Sequence, residues 1–560
     1  NELVVGAIDI GAKAYIGSSC VIEENFVIEE GAELGDLTAI GAGGRAGAWE
    51  VWDGSPGRKV RMVDRAALDP PPTASVARRG IMAIMYGILL LAIPPLGLLP
   101  IFPAFWVFDR IDDLIGTADF DRIRYMLSIP IMALPTAFVM VLVTVGFIAA
   151  CRWVILPRVR EGKYSVHSWF YFRKWAVALA TEVTLETLSS LFATVYMRAW
   201  YRLMGAKIGK DAEISTNLSG RYDLVEIGEK CFIADEVILG DEDIRNGGMY
   251  LKRVTTGPRV FVGNSAVVPA GTEIPGGALI GIKSKPPANH LMQAGDTWFG
   301  SPPIKLPVRQ RFEGGGANWT YEPPHWKKFA RACFEAVTIS LPIALFITFG
   351  TWSVEWFSSG VLEGRYFEVF WQFMLAAAGI SLVMALLVIA LKWITMGRYE
   401  PMVKPMWSWW AMRTEAVAVI YWGLAGKVLL DHLRGTPFLP WLMRLFGTKF
   451  GRGVFTDMTD ITEFDCVSVG DYAALNAHCA LQTHLYEDRV MKVGKVFVGN
   501  GVTVGAGSTV LYDTRVADYA RLGPLTLVMK GEQIPANSEW AGSPAEPKAA
   551  ADSIIEKAAA

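Results

Sequence analysis

The chain has 560 residues, a length that divides into several domains rather than one core. Its formal net charge is −2 and its pI is near 6.4, which excludes nucleic acid as the main partner, because that partner needs a basic surface. Hydrophobic residues make up 52%, mean hydropathy is +0.31 and there are 20 tryptophans, so membrane segments are expected.

The chain opens on a repeat. Aliphatic residues fall at Val4, Ile10, Ile16, Ile22, Ile28, Leu34 and Ile40, a strict period of six. Neither a helix nor an alternating strand gives that period; a parallel β-helix does, with three short strands per coil and one inward aliphatic residue on each. The period returns at Ile208, Ile214, Ile227, Ile233, Leu239, Val262, Val268, Ile274 and Ile280, and again from Val469 to Leu522. Each block closes alike, on Trp52-Asp53-Gly54-Ser55-Pro56, Trp298-Phe299-Gly300-Ser301-Pro302 and Trp540-Ala541-Gly542-Ser543-Pro544. The six cysteines form no C-x-x-C pair, so no metal site is expected, and Cys20, Cys231 and Cys479 read as small core fillers.

Four stretches of spanning length lack charge: Ile81 to Phe108, Tyr125 to Cys151, Ala336 to Val354 and Val369 to Leu391. Pro94-Pro95 is expected to kink the first or make it re-entrant. Lys and Arg crowd the outer flanks (Arg78, Arg79, Arg152, Arg158, Arg160, Lys163; Lys327, Lys328, Arg331, Lys392, Arg398, Lys404) and are sparse in the hairpin loops. The positive-inside rule then places the loops outside and the β-helix blocks in the cytoplasm of a multi-pass protein of a bacterial inner membrane, in contact with lipid.

The expected organisation is a β-helix block at 1–67, a transmembrane hairpin at 78–165, an interfacial amphipathic helix at 166–207 and a second block at 208–310. A second hairpin at 325–400, a second interfacial helix at 401–448, a third block at 449–548 and a tail at 549–560 follow. Gly314-Gly315-Gly316 reads as a flexible linker. The fold class is therefore a multi-domain membrane protein, with three tandem left-handed β-helices alternating with helical hairpins.

Insertions break the repeat after Leu239 and Leu481, and loops on a rigid scaffold are where function concentrates. The second carries His484, Glu487 and Asp488, with Asn476 and His478 just before it. An imidazole that titrates near neutrality can take a proton from an amine or hydroxyl nucleophile, so His484, then His478, are the candidate bases. Asp241, Glu242 and Asp243 in the first insertion, and Asp457, Asp460, Glu463, Asp465, Glu487 and Asp488 in the third block, are candidates for binding a cationic substrate. A solvated acidic surface is the alternative for these carboxylates.

A β-helix with a His beside an inserted loop resembles the hexapeptide acyltransferases, which commonly work as trimers, so three tandem blocks suggest a covalent pseudo-trimer. The alternation of blocks with membrane pairs looks more specifically like the C-terminal half of the ε-poly-L-lysine synthetase-like nonribosomal peptide synthetases. Thr297-Trp298-Phe299-Gly300-Ser301-Pro302, the run from Gln482 to Lys492, and Gly435-Thr436-Pro437-Phe438-Leu439-Pro440-Trp441 carry that resemblance. It implies amide-bond formation between basic amino acids delivered as thioesters on a carrier domain, with the growing poly(amino acid) as the other partner. His484 would be the base, and Asn476 or backbone N–H groups would hold the oxyanion. Phosphopantetheine on the carrier and ATP with Mg at an adenylation domain are implied upstream, none of them bound by this region; a homo-oligomer is compatible. The chain departs from the family pattern in having four spanning segments rather than six and no adenylation or carrier sequence, which the simplest reading places before Asn1. Rival readings are a free-standing membrane acyltransferase using acyl-CoA, and a non-catalytic scaffold or exporter for the polymer.

Overall fold

The computed structural model describes residues 3–68, 70, 72–218, 220–307 and 316–548. The tail at 549–560 and the Gly314-Gly315 part of the linker lie outside the described residues.

The six-residue period builds stacked coils. Strands of two or three residues pair in parallel 18 residues apart, Val27 with Arg45, Phe261 with Leu279 and Arg515 with Gln533, so three hexapeptides make one coil. The inward aliphatics Ile28, Leu34, Ile40, Ile233, Val262, Val268, Ile280, Val498, Val504, Val510 and Val516 are at most 2% exposed. Burying each contributes roughly 1.5–3 kcal/mol. At the insertions the spacing between stacked strands grows: Ile238 pairs with Val267, and Ala480 with Thr509, 29 residues on in both cases. The extra residues form hairpins, Asp243–Arg245 with Gly248–Leu251 and His484–Glu487 with Val490–Val493. Each hairpin gains a third, antiparallel strand from the arm that leaves the preceding membrane segment, Gly162–Ser165 or Met402–Pro405.

The helices are α1 (Val76–Gly97), α2 (Ile101–Ile115), α3 (Arg122–Ile155), α4 (Trp169–Thr187), α5 (Val195–Met204), α6 (His325–Leu362), α7 (Tyr366–Thr395), α8 (Trp409–Ile420) and α9 (Phe438–Phe446). Four helical stretches are long and apolar enough to cross a membrane: α1 continued by α2, α3, α6 and α7. The break expected at Pro94-Pro95 falls just beyond it, at Leu98–Pro100, after α1 has run through both prolines. Two expectations for the connecting segments change. The stretch from 401 opens as a strand, because its backbone completes the inserted hairpin. Helices α4 and α8 also do not lie as one-sided surface helices. Apolar residues occur all round them, and they bury Ala176, Val177, Thr181, Ala411, Met412, Val417 and Ile420 between spans and blocks. Ser168 and Ser408 cap them, each accepting a backbone N–H three residues on.

The end of each hairpin is pinned to its block. Arg152 near the end of α3 is fully buried, pairs with Asp223, and donates to the carbonyls of Met204 and Leu156. Lys392 near the end of α7 is equally buried and donates to Asp465 at 2.6 Å. The neighbouring indoles repeat the pattern, Trp153 to the Leu203 carbonyl at 2.8 Å and Trp393 to that of Leu445 at 2.9 Å.

The three closing turns meet. The Ser55 N–H donates to the Ser301 carbonyl at 2.7 Å, Ser301 to Ser543 at 3.0 Å, and Ser543 back to Ser55 at 3.1 Å. This contact brings one flank of each block against the next and creates the boundaries in which the inserted hairpins lie.

Candidate active site

The third block's hairpin leans on the second block. Tyr486 packs its ring on Phe232, with centroids 5.4 Å apart, and the buried Arg489 donates to the carbonyls of Asp211 and Cys231. His484 is the first residue of this hairpin, so its backbone is fixed by the strand while its ring faces the boundary.

Its Nδ1 lies 2.7 Å from Oε2 of Glu463. Glu463 is fully buried beside the short helix Phe464–Cys466, and Thr483 and Thr462 also donate to that oxygen, at 2.5 and 2.8 Å. Burial alone would push the carboxyl up, but the imidazole and these hydroxyls outweigh it and hold Glu463 below the ordinary range. Burial would likewise depress His484, yet the facing Glu463 carboxylate raises it. The carboxylate fixes the Nδ1–H tautomer, leaving Nε2 as the basic nitrogen. The side chain keeps 18% exposure, so a reactant can reach it.

Charged groups of both blocks surround the dyad. Asp235 of block two and Asp460 of block three reach solvent while protein walls them in. Burial, then Glu236, pushes the Asp235 carboxyl up to about 6, against the pull of His484. Burial, then Glu236 and Asp235, lifts Asp460 to about 6 as well. Lys283 of block two is buried and donates to the Gly507 carbonyl of block three; burial draws its ammonium down to about 8. Behind the imidazole, edge-on at 5.8 Å, stands Tyr486, whose hydroxyl donates to Glu415 at 2.5 Å. Burial pushes Glu415 up to about 7, against the nearby Arg331 of α6.

The equivalent place in block two holds different chemistry. Counting back 242 residues, Glu242 stands where block three has His484 and Arg221 where it has Glu463; counting back 240, Lys174 stands for Thr414. Glu242 is bound by Lys174 and by Arg221, which also pairs with Asp241. Asp243 pairs with Arg245 at 2.8 Å, and Arg245 reaches Glu33 of block one at the same distance. These three carboxylates are thus committed to cations of the chain itself.

The other predicted residues separate. Asn476 donates its side-chain N–H to the Val504 carbonyl at 2.9 Å, bracing a coil. His478 is exposed at a turn with φ of 55°. Asp465 is taken by Lys392, and Glu487 by Lys492 and Lys530 at 2.5 Å each. Asp457 is half-buried in a coil turn, and Asp488 occupies the hairpin's own turn with φ of 49°. Sequence reasoning missed Asp235, Lys283, Tyr486, Glu415 and Arg331. A signal existed for Lys283: fifteen residues before each closing Trp, the other blocks carry Leu37 and Leu525. Arg331 and Glu415 offered none, because their meeting depends on how α6 and α8 pack.

No family model matches the chain. It is 41% identical over 553 residues to delta-poly-L-ornithine synthetase of Acinetobacter baumannii (strain AB307-0294). That alignment takes in 98% of this chain and 41% of the synthetase, so the chain spans about two-fifths of that relative's length. A 124-residue stretch is 29% identical to the protein described as "Putative acetyltransferase YvoF" of Bacillus subtilis (strain 168), covering 21% of this chain and 71% of that one. Among solved structures, serine acetyltransferase isoform 3 in complex with cysteine, from Entamoeba histolytica, corresponds over 38% of this chain and 73% of its own, at 15% identity and a TM-score of 0.14. Parallel coils and apolar helices together fit a hexapeptide-repeat β-helix protein carried by a membrane.

Proposed function

We propose that this chain is the acyl-transfer region of a membrane-bound poly(amino acid) synthetase, joining amino acids held as thioesters on a carrier domain. The observation that carries the reading is the Glu463–His484 dyad at the boundary of two β-helix blocks, in a chain similar along nearly its whole length to a poly-L-ornithine synthetase. Nε2 of His484 takes a proton from the incoming ammonium as the nitrogen attacks the thioester carbonyl. The tetrahedral adduct then expels the thiolate, to which the imidazolium returns a proton. One further proton, from the original ammonium, leaves to solvent.

A basic monomer suits the walls: among the described residues Asp235 and Asp460 make no ion pair, unlike Asp241, Glu242 and Asp243, and the relative's name specifies ornithine. The ring of Ser55, Ser301 and Ser543 supports reading the blocks as a pseudo-trimer. The Lys and Arg flanks support cytoplasmic blocks on a bacterial inner membrane, where a carrier and its ATP-dependent loading enzyme would be accessible.

The test uses full-length synthetase, with its carrier, in detergent. His484→Ala should leave carrier loading intact by mass spectrometry while abolishing polymer by chromatography. Normal polymer from this variant would overturn the assignment, and polymer made from acyl-CoA without a carrier would favour the free-standing acyltransferase.

A further inference from the structure

We infer that block three carries a binding site for the phosphate of an anionic phospholipid headgroup, beneath the end of α7. A cavity of about 460 Å³ there is lined by Arg398, Tyr399, Glu400, Lys449, Asp465 and Lys495, among others. Asp465 is neutralised by Lys392 on its far side, so four cations stand against two carboxylates. Arg398, Lys449 and Lys495 make no ion pair among the described residues.

In the second block the equivalents of both lysines are paired. Lys207, equivalent to Lys449, pairs with Glu226 at 2.7 Å, and Arg253, equivalent to Lys495, pairs with the same carboxylate. In block three the residue at that position is Ser468. Loss of one carboxylate therefore frees two lysines on the wall of a hollow deep enough for a phosphate.

The surroundings identify the source of the phosphate. Helix α9 buries Leu439, Met443 and Phe446 and turns Phe438, Trp441 and Leu445 outward, at 53%, 59% and 50% exposure. Those three fall on one face, and Trp393 of α7 is bonded to the α9 carbonyl of Leu445. An outward apolar stripe with tryptophan, beside the end of a membrane-spanning helix, is the arrangement that sinks into the headgroup boundary. Lys449 follows α9 by three residues and Arg398 follows α7 by three, so the basic hollow opens at headgroup depth. A lipid phosphate there would meet cations in place of water, and each cation near such a surface strengthens the attraction.

The experiment counts phosphatidylglycerol retained on detergent-purified full-length protein by native mass spectrometry, with phosphatidylcholine as the zwitterionic comparison. Ser468→Glu, which restores the carboxylate of block two, should weaken retention roughly tenfold; Arg398→Gln with Lys449→Gln and Lys495→Gln should weaken it roughly 10–100-fold. Lys207→Gln with Arg253→Gln should leave it unchanged. Wild-type retention by both block-three variants, or equal retention of phosphatidylcholine, would overturn the site. Displacement of the lipid by an equal concentration of soluble glycerol phosphate would overturn the lipid as its source.

Discussion

His484 and Glu463 are 21 residues apart in sequence and 2.7 Å apart in space, and the hydrogen bond between them sets which imidazole nitrogen is basic. Glu463 is a positioning residue, so its removal should differ from removal of the ring. His484→Ala should reduce elongation by about 10²–10⁴-fold at every pH. Glu463→Gln should also slow elongation, and in addition move the acidic limb of the pH–rate profile to lower pH. The carboxylate raises the His484 pKa in the native protein, and without it the imidazole stays deprotonated, and so competent as a base, further into acid. An unmoved limb would mean that the titrating group is not His484.

The two acidic clusters should part company under mutation. Asp235→Asn with Asp460→Asn should raise KM for a cationic monomer, roughly tenfold, with a smaller effect on kcat, as expected for lost ground-state binding. Glu242→Gln should instead destabilise the fold, by about 3–5 kcal/mol, because it strips the buried Lys174 and Arg221 of a shared partner. Monomer titrations together with thermal melts separate these outcomes; a KM effect from Glu242→Gln alone would reverse the assignment.

The same two groups predict a pH-dependent stability. Both carboxyls are raised to about 6, so the folded state binds more protons than the unfolded chain between roughly pH 4 and 6. Their ionisation therefore opposes folding fully above that window and not below it. The Asp235→Asn, Asp460→Asn protein should melt higher than wild type at pH 7.5, and the difference should vanish near pH 4. A constant difference across that range would contradict it.

Asp465→Asn should leave Lys392 buried without its anion and cost about 3–5 kcal/mol. Asp223→Asn should do the same to Arg152 in block two. Loss of the folded protein from detergent extracts, or a lowered melting temperature, is the readout; an unchanged melt for both would show that the pins carry no stability.

Membrane orientation can be read by cysteine labelling in intact cells, in a background with the exposed Cys333 replaced. Cysteines at the exposed Gly116, in the first hairpin's loop, and at the exposed Ser359, in the last turn of α6, should react with an impermeant reagent, and one at the exposed Tyr519 should not. Gly507 would not serve as the inner position, because it is buried between blocks. Labelling at Tyr519 alone would invert the topology.

The scaffold was legible because a period of six marks the stacked coils: Ile28, Leu34 and Ile40 declare their burial by spacing, although Ile10 and Ile16 in the same series stay exposed. The spans were legible from length and lack of charge. The site was half legible. His484 stood out as a rare residue at the start of an insertion, but Glu463 looked like one acid among several, since only the fold brings Thr462, Thr483 and the imidazole onto one oxygen. Asp235 and Lys283 could not be placed, because residues of one block complete a site in another. Arg152 and Lys392 read as membrane flanks, which hid their burial.

Ser55, Ser301 and Ser543 close their ring of hydrogen bonds within a single polypeptide. In a ring assembled from identical subunits, any substitution appears at every boundary at once, and a change that helps one site must be tolerated by all. Here each boundary has its own codons. One holds an imidazole on a carboxylate while another holds a locked pair of opposite charges, and Ser468 stands in one block where Glu226 stands in the next. Different chemistry at each boundary is the freedom that a ring closed within one chain confers.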